Sequence, residues 1–206
     1  MQIILASTSQ YRRQLLQNIG LNIECVGSKV DEKTILGKNP TGTSQLRAHA
    51  KAYSVIQAYF ETTNDNEPVI VIGADQVVYI DKEIFGKPKS NDEWKRRLHK
   101  FSGRSHQLTT SVSLWGYGFG GEKQPTEFSL FSEHTKIFFR ELQESEINDY
   151  VDIGEAKKCA GGYMIEGVGA SLIDRIEGDY QNVIGLPVFQ LLKELRKLDV
   201  HVLRQV

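Results

Sequence analysis

The chain is predicted to fold as an α/β protein, one large domain or two small lobes around a cleft, and three features of its pattern point to that class. Val69-Ile70-Val71-Ile72 is an unbroken β-branched run, which suits a strand buried on both faces. Residues 1–6 read as a short buried strand that passes through Ser7-Thr8-Ser9 into a helical segment, with Leu15, Leu16 and Ile19 at helical spacing until Gly20. Residues 105–115 and 128–139 read as a long antiparallel pair joined by a glycine-rich loop at 116–121, expected to be a mobile surface tip.

The remaining elements follow from the same signals. Leu46, Ala50, Tyr53 and Ile56 or Gln57 predict a helix over 44–60, ended by the polar run Thr62-Thr63-Asn64-Asp65-Asn66. The strand that begins after Pro68 delivers Gly73-Ala74-Asp75 at its C-terminal end, and 77–80 with 83–85 form a hairpin across Asp81-Lys82. Helices are expected over 92–100 and 141–151, with glycine-punctuated strand and turn over 160–176. Pro187 opens a last helix at its first position, and Val188, Leu191, Leu192, Leu195 and Leu198 line one face of it. No repeat or composition break marks a linker, so residues 1–206 are expected to form a single domain of two lobes.

Composition narrows the function. A chain of 206 residues can bury a core without staples, and Cys25 and Cys159, far apart and in no CxxC pair, read as packing residues of a reduced compartment. A net charge of -1 provides no global field for a long polyanion, so no nucleic-acid partner is expected, whereas a small anion needs only a local cluster. No basic segment followed by an apolar one opens the chain, and no apolar run nears the roughly 20 residues that span a bilayer. The expectation is a soluble cytoplasmic protein with no membrane partner.

Local clusters with chemical content do exist. Ser7-Thr8-Ser9-Gln10-Tyr11-Arg12-Arg13 lies where a strand turns into a helix, and helix N-termini favour anions. With Ser9 as N-cap, Arg12 and Arg13 fall in the first turn, where cations oppose the dipole unless a phosphate is bound. Asp75, directly after a buried strand, suits a metal ligand or general base, or else caps the next turn. Glu32 is a second carboxylate that can complete a Mg²⁺ site. Lys51 and Lys87, the latter in Gly86-Lys87-Pro88, can neutralise phosphate charge. Glu166 lies among glycines that permit close backbone approach, where a carboxylate can accept hydrogen bonds from a base edge. The five histidines lack zinc spacing, His106 reads as a strand residue, and no nucleophile elbow, P-loop or dinucleotide fingerprint is present.

These segments together resemble the Maf family of nucleotide pyrophosphatases along nearly the whole chain. The carriers are Ser7 to Arg13, Gly73-Ala74-Asp75-Gln76, Gly86-Lys87-Pro88, Phe101-Ser102-Gly103 and the block from Tyr150 to Pro187, with Ile176-Glu177-Gly178-Asp179-Tyr180 inside it. The resemblance implies an elongated mixed-sheet fold like that of inosine triphosphatases, with the two lobes enclosing the cleft. It implies hydrolysis of a nucleoside triphosphate to the monophosphate and pyrophosphate, a divalent cation (Mg²⁺ or Mn²⁺) and a possible homodimer. Carried position by position, it gives Asp75 as the catalytic and metal-binding carboxylate, with Ser7, Ser9, Arg12, Arg13, Lys51 and Lys87 holding the triphosphate. Gln76 and Glu166 are similar to the branch acting on 7-methyl-GTP, with the dTTP/UTP branch of the same family as the runner-up. Ala156 and Ala50 depart from the family pattern. The sequence is also compatible with a non-catalytic regulator of cell division and with a house-cleaning inosine or xanthosine triphosphatase.

Overall fold

A four-residue apolar strand, β1 (Gln2–Leu5), leads through the serine loop into α1 (Gln10–Asn18), and the helix starts where Ser9 accepts the Arg12 N–H. The computed structural model describes residues 1–62, 67–119, 124–157 and 159–204. Next come β2 (Glu24–Cys25), a 3-10 turn at Glu32–Thr34 and the long α2 (Pro40–Thr62). That helix begins four residues earlier than its periodicity suggests. Asn39 caps it by accepting the Gly42 N–H at 2.7 Å, and Pro40 fits the first turn, where a missing N–H costs nothing.

The apolar run after Pro68 does not stop at Ile72. It continues as one 12-residue strand, β3 (Val69–Ile80), which turns through Asp81 and Lys82, both at positive φ, into β4 (Glu83–Phe85). Asp75 is therefore mid-strand and caps no turn. The chain continues through α3 (Asn91–Phe101), β5 (Ser105–Tyr117), β6 (Thr126–Phe139) and α4 (Glu144–Ile153). Residues 160–176, expected as strand and turn, hold 3-10 turns at Ala160–Gly162 and Val168–Leu172, and the strand, β7 (Ile173–Glu177), comes only at the end. The last elements are α5 (Tyr180–Ile184) and α6 (Val188–Lys197). Pro187 lies one position outside α6 rather than at its first position. The glycine loop is shorter than expected, because Gly116 and Tyr117 belong to β5 and the Phe119 ring packs edge-on against Phe128; Gly120 and Gly121 lie outside the described residues, as do Thr63 to Asn66 of the other polar loop.

The sheet order is β2-β1-β3-β5-β6-β7, with β4 also on β3. β1 is parallel to β2 and β3 and the other pairs are antiparallel, which makes the mixed sheet that the family resemblance implies. β3 serves more than one hydrophobic core. Its first half is buried on both faces, Val69 and Val71 against Ala52, Val55 and Ile56 of α2, Ile70 and Ile72 with Leu16 of α1 and Leu191 of α6. Its far end, Val78 and Ile80, belongs to a separate core with Trp94, Leu98 and Phe101 of α3 and Ile147 of α4. Asp75 and Gln76 fall at the junction. Among the described residues no helix is long and apolar enough to cross a membrane.

Candidate active site

Strand alternation decides where Asp75 points. Residues 69, 71, 73 and 75 face α2, and Gly73 lets that helix lie close: a Cβ there would stand 2.3 Å from the Ala48 carbonyl oxygen. The α2 side chain that meets Asp75 is Lys51, whose Nζ lies 2.7 Å from Oδ1 and 2.9 Å from Oε1 of Glu32. Ser44 Oγ donates to the Asp75 carbonyl at 2.7 Å and accepts the Ser111 N–H at 3.0 Å, fixing β3, α2 and β5 around the carboxylate. Oδ2 is buried with no hydrogen-bond partner, and Arg47 Nη1 stands 4.0 Å from it. Burial pushes Glu32 upward, but Lys51, helped by Arg12 and Arg47, outweighs it and holds Glu32 below the usual carboxylate range.

Arg12 reaches the same centre from α1. It is buried, its Nε donates to the Gly185 carbonyl at 2.9 Å and its Nη1 to the Ala74 carbonyl at 2.7 Å. The guanidinium thus ties α1, β3 and the end of α5 together one residue from Asp75. Burial lowers it from its ordinary value, and Asp75 and Glu32 oppose that shift. Ser7 Oγ accepts the Ser9 N–H at 3.2 Å, which shapes the loop ahead of the helix.

The cleft is also lined by Lys87, exposed on the loop between β4 and α3, and by Glu166, exposed on the glycine segment. Gly161 and Gly162 both take positive φ there, and a Cβ on Gly162 would stand 2.7 Å from the Trp94 indole nitrogen, so the segment needs glycine to lie on α3. The Tyr11 hydroxyl donates to Met164 Sδ at 3.2 Å across the gap. Glu155 accepts the Val168 and Gly169 N–H groups at 3.2 and 2.7 Å, a capping role. Gln76, on the face of β3 opposite Asp75, gives both amide hydrogens away, to the Asn182 carbonyl at 2.8 Å and Thr110 Oγ1 at 3.1 Å. Its carbonyl oxygen is what remains for a ligand.

Ser7, Ser9, Arg12, Glu32, Lys51, Asp75, Gln76, Lys87 and Glu166 all line one cleft of about 1080 Å³. Arg13 does not, since it is exposed and outside this lining; two consecutive helical residues cannot share a face. Cys159 borders the cleft, half-buried, where desolvation raises its thiol, so it is no ready nucleophile; Cys25 is exposed and does not pack as expected. The structure adds Arg47 and Ser44, which sequence reasoning misses. A signal for them does exist, because 44, 47 and 51 form a polar stripe at helical spacing on a face that also buries Ala48 and Val55.

The arrangement is a carboxylate with one unpartnered oxygen beside Lys51, Arg12 and Arg47, in a cleft that Lys87 also lines and that takes an anion much larger than phosphate. A family model described as "Maf-like protein" matches residues 2–198. The chain is 40% identical over 96% of its length to a dTTP/UTP pyrophosphatase of Geobacillus sp. (strain WCH70), covering 98% of that protein. It is 38% identical to a dTTP/UTP pyrophosphatase of Aquifex aeolicus (strain VF5), over 97% of each chain. These relatives carry the name of the dTTP/UTP branch, not that of the 7-methyl-GTP branch to which Gln76 and Glu166 are similar. The backbone is also similar to the Staphylococcus aureus Ham1 protein over 68% of this chain and 72% of that one, at 17% identity and a TM-score of 0.36. With the family model spanning almost every residue and relatives matched end to end, this chain belongs to the Maf-like family.

Proposed function

We propose that this chain is a nucleoside triphosphate diphosphatase that cleaves dTTP and UTP to the monophosphate and pyrophosphate. The observation that carries the reading is the division of labour on Asp75, a residue of the cleft lining: Oδ1 is held by Lys51, and Oδ2 is buried and unpartnered. An oxygen so placed accepts a proton from a water that attacks the α-phosphorus. The bond from that phosphorus to the bridging oxygen breaks, and pyrophosphate leaves with the electron pair. Arg12, Lys51 and Lys87 oppose the charge that builds on the phosphates, in a setting where fixed cations act more strongly than in water. The names of the relatives, matched end to end, support the choice of pyrimidine nucleotides.

The donors present fit a divalent cation. Asp75 Oδ2 lacks a partner and Glu32 stands across Lys51 from it, which is the one or two carboxylates that Mg²⁺ or Mn²⁺ takes alongside substrate phosphates. Asp75 and Glu32 would hold the ion, which supplies Lewis-acid polarisation of the phosphates when bound.

A second reading has its own observation. The Tyr11 ring and the Glu166 carboxylate border the cleft together, near enough that Glu166 adds to the rise in the Tyr11 hydroxyl, which burial and Cys159 dominate. An aromatic face beside a carboxylate suits the cationic ring of 7-methylguanine. One experiment separates the two: pyrophosphate release with Mg²⁺ or Mn²⁺ across dTTP, UTP, 7-methyl-GTP, ITP and XTP, with Asp75→Asn alongside. Turnover of dTTP and UTP, with a loss of about 10²–10⁴-fold in Asp75→Asn, is the expected result. Preference for 7-methyl-GTP moves the protein to the second reading, and undiminished turnover by Asp75→Asn refutes the mechanism.

A further inference from the structure

Lys87 is an exposed lysine on a loop, and a phosphate ligand of that kind needs its backbone fixed, because the side chain alone already gives up rotamer entropy when its head is held. Crowding does not fix it: a Cβ on Gly86 would meet nothing within 4 Å. What holds the loop is α3. Arg97 Nη1 donates to the Gly86 carbonyl at 2.5 Å and Nη2 to Glu93 Oε1 at 2.9 Å, while Glu93 Oε2 accepts the Lys89 N–H at 3.1 Å. The backbone is therefore gripped on each side of Lys87 by one ion pair. The Arg97 side chain is only 4% exposed and lies over the Phe85 ring, with Cζ 5.5 Å from its centroid. Glu93 is set by the helix start, where its N–H donates to the Ser90 cap. Neither Glu93 nor Arg97 lines the main cleft.

We propose that Glu93 and Arg97 are positioning residues for triphosphate cleavage, clamping the Gly86–Lys89 backbone to α3 so that the Lys87 ammonium is held at the phosphates. This rests on the reading of Lys87 as a phosphate ligand. The same helix also carries the glycine segment that presents Glu166, because Trp94 donates to the Gly162 carbonyl at 2.5 Å.

The test is a double-mutant cycle on the full chain, with Glu93→Ala, Lys87→Ala and the pair assayed on dTTP with Mg²⁺, and with amide hydrogen exchange followed over residues 83–90. Glu93 is partly exposed, so its truncation leaves the core intact; Arg97→Lys, which keeps the charge and loses the fork, is the second probe. Expected are a fall of about 10- to 100-fold in kcat/KM for Glu93→Ala, little further loss when Lys87 is already alanine, and faster exchange at 86, 87 and 89 in a protein that still unfolds in urea in one cooperative transition. An equal loss in the Lys87→Ala background, or unchanged exchange in both Glu93→Ala and Arg97→Lys, overturns the proposal. A wild-type protein inactive on every triphosphate refutes the function on which it rests, and is told apart because exchange still reports whether the clamp exists.

Discussion

The Lys51 ammonium lies 2.7 Å from Oδ1 of Asp75, and both side chains are almost wholly buried. Neither group is there for stability alone, since burying two charges costs as much as their attraction returns. Removing only the cation is worse, because it leaves Asp75 buried beside Glu32 with nothing between them. Lys51→Met is expected to lower stability by about 3–5 kcal/mol, and adding Asp75→Asn should recover part of that loss. Urea unfolding of the two variants at constant m-value decides it. A double variant no more stable than Lys51→Met alone would mean that the pair is not electrostatically coupled.

Arg12→Lys tests a different part of the frame. Lysine keeps the charge but has one nitrogen where Arg12 uses two, Nε for the Gly185 carbonyl and Nη1 for that of Ala74, so it cannot reproduce the planar fork that spans them. Each hydrogen bond from a charged group is worth about 1.5–3 kcal/mol, and a carbonyl left dry costs a similar amount. The expected outcome is a drop in unfolding free energy of about 2 kcal/mol together with a lower kcat, because the backbone on one side of Asp75 is no longer anchored. Loss of nucleotide affinity with full stability would assign Arg12 to the ligand instead.

What is legible in the sequence divides along physical lines. The serine loop ending in the Ser9 cap, the hairpin at Asp81-Lys82 and the α6 face are local signals, and the structure keeps them. A charged residue breaks an apolar run, so pattern alone ends the strand before Asp75; in the fold Lys51 meets that charge, and β3 continues through it. Arg47 and Ser44 show in the sequence only as a polar stripe with Lys51 at helical spacing, and what that stripe touches is set by how closely α2 lies on Gly73, a tertiary distance. Arg13 illustrates the converse. It shares a motif with Arg12, but a helix sends adjacent residues to different faces, and only Arg12 turns inward.

His106 gives the fold a pH dependence of known sign. Burial lowers its imidazole to about 3 from an ordinary 6.5, and the ring stacks on Phe101 at 4.2 Å with Nε2 2.8 Å from the Tyr163 hydroxyl. Below pH 6.5 the unfolded chain binds a proton that the folded chain refuses until about pH 3. Stability therefore falls as pH falls through that window, by up to ~1.4 kcal/mol per pH unit. His106→Phe loses the Tyr163 partner and should be about 1–3 kcal/mol less stable at neutral pH. Its deficit should shrink as the pH is lowered, which urea midpoints at about pH 7, 5.5 and 4.5 would reveal; parallel curves would assign the acid sensitivity to other groups.

The last prediction concerns a position with no functional group at all. Gly73 faces α2, and a Cβ on it would stand 2.3 Å from the Ala48 carbonyl oxygen and 2.7 Å from the Ala52 nitrogen and Cβ, so neither rotamer change nor side-chain repacking can make room. The helix backbone itself must retreat. Lys51 lies between Ala48 and Ala52 in that backbone, and Asp75 is the next residue along the same face of β3, so the retreat lengthens the 2.7 Å contact directly. Overpacking of this kind costs about 1–3 kcal/mol, whereas a shift of about 1 Å among reacting groups can cost up to about 10² in rate. Gly73→Ala should therefore stay folded at about 25 °C yet lose kcat by about 10- to 100-fold. Steady-state kinetics beside a urea curve on the same preparation measures both, and a folded Gly73→Ala with kcat within about twofold of wild type would show that the approach of α2 to β3 does not govern the Lys51–Asp75 pair.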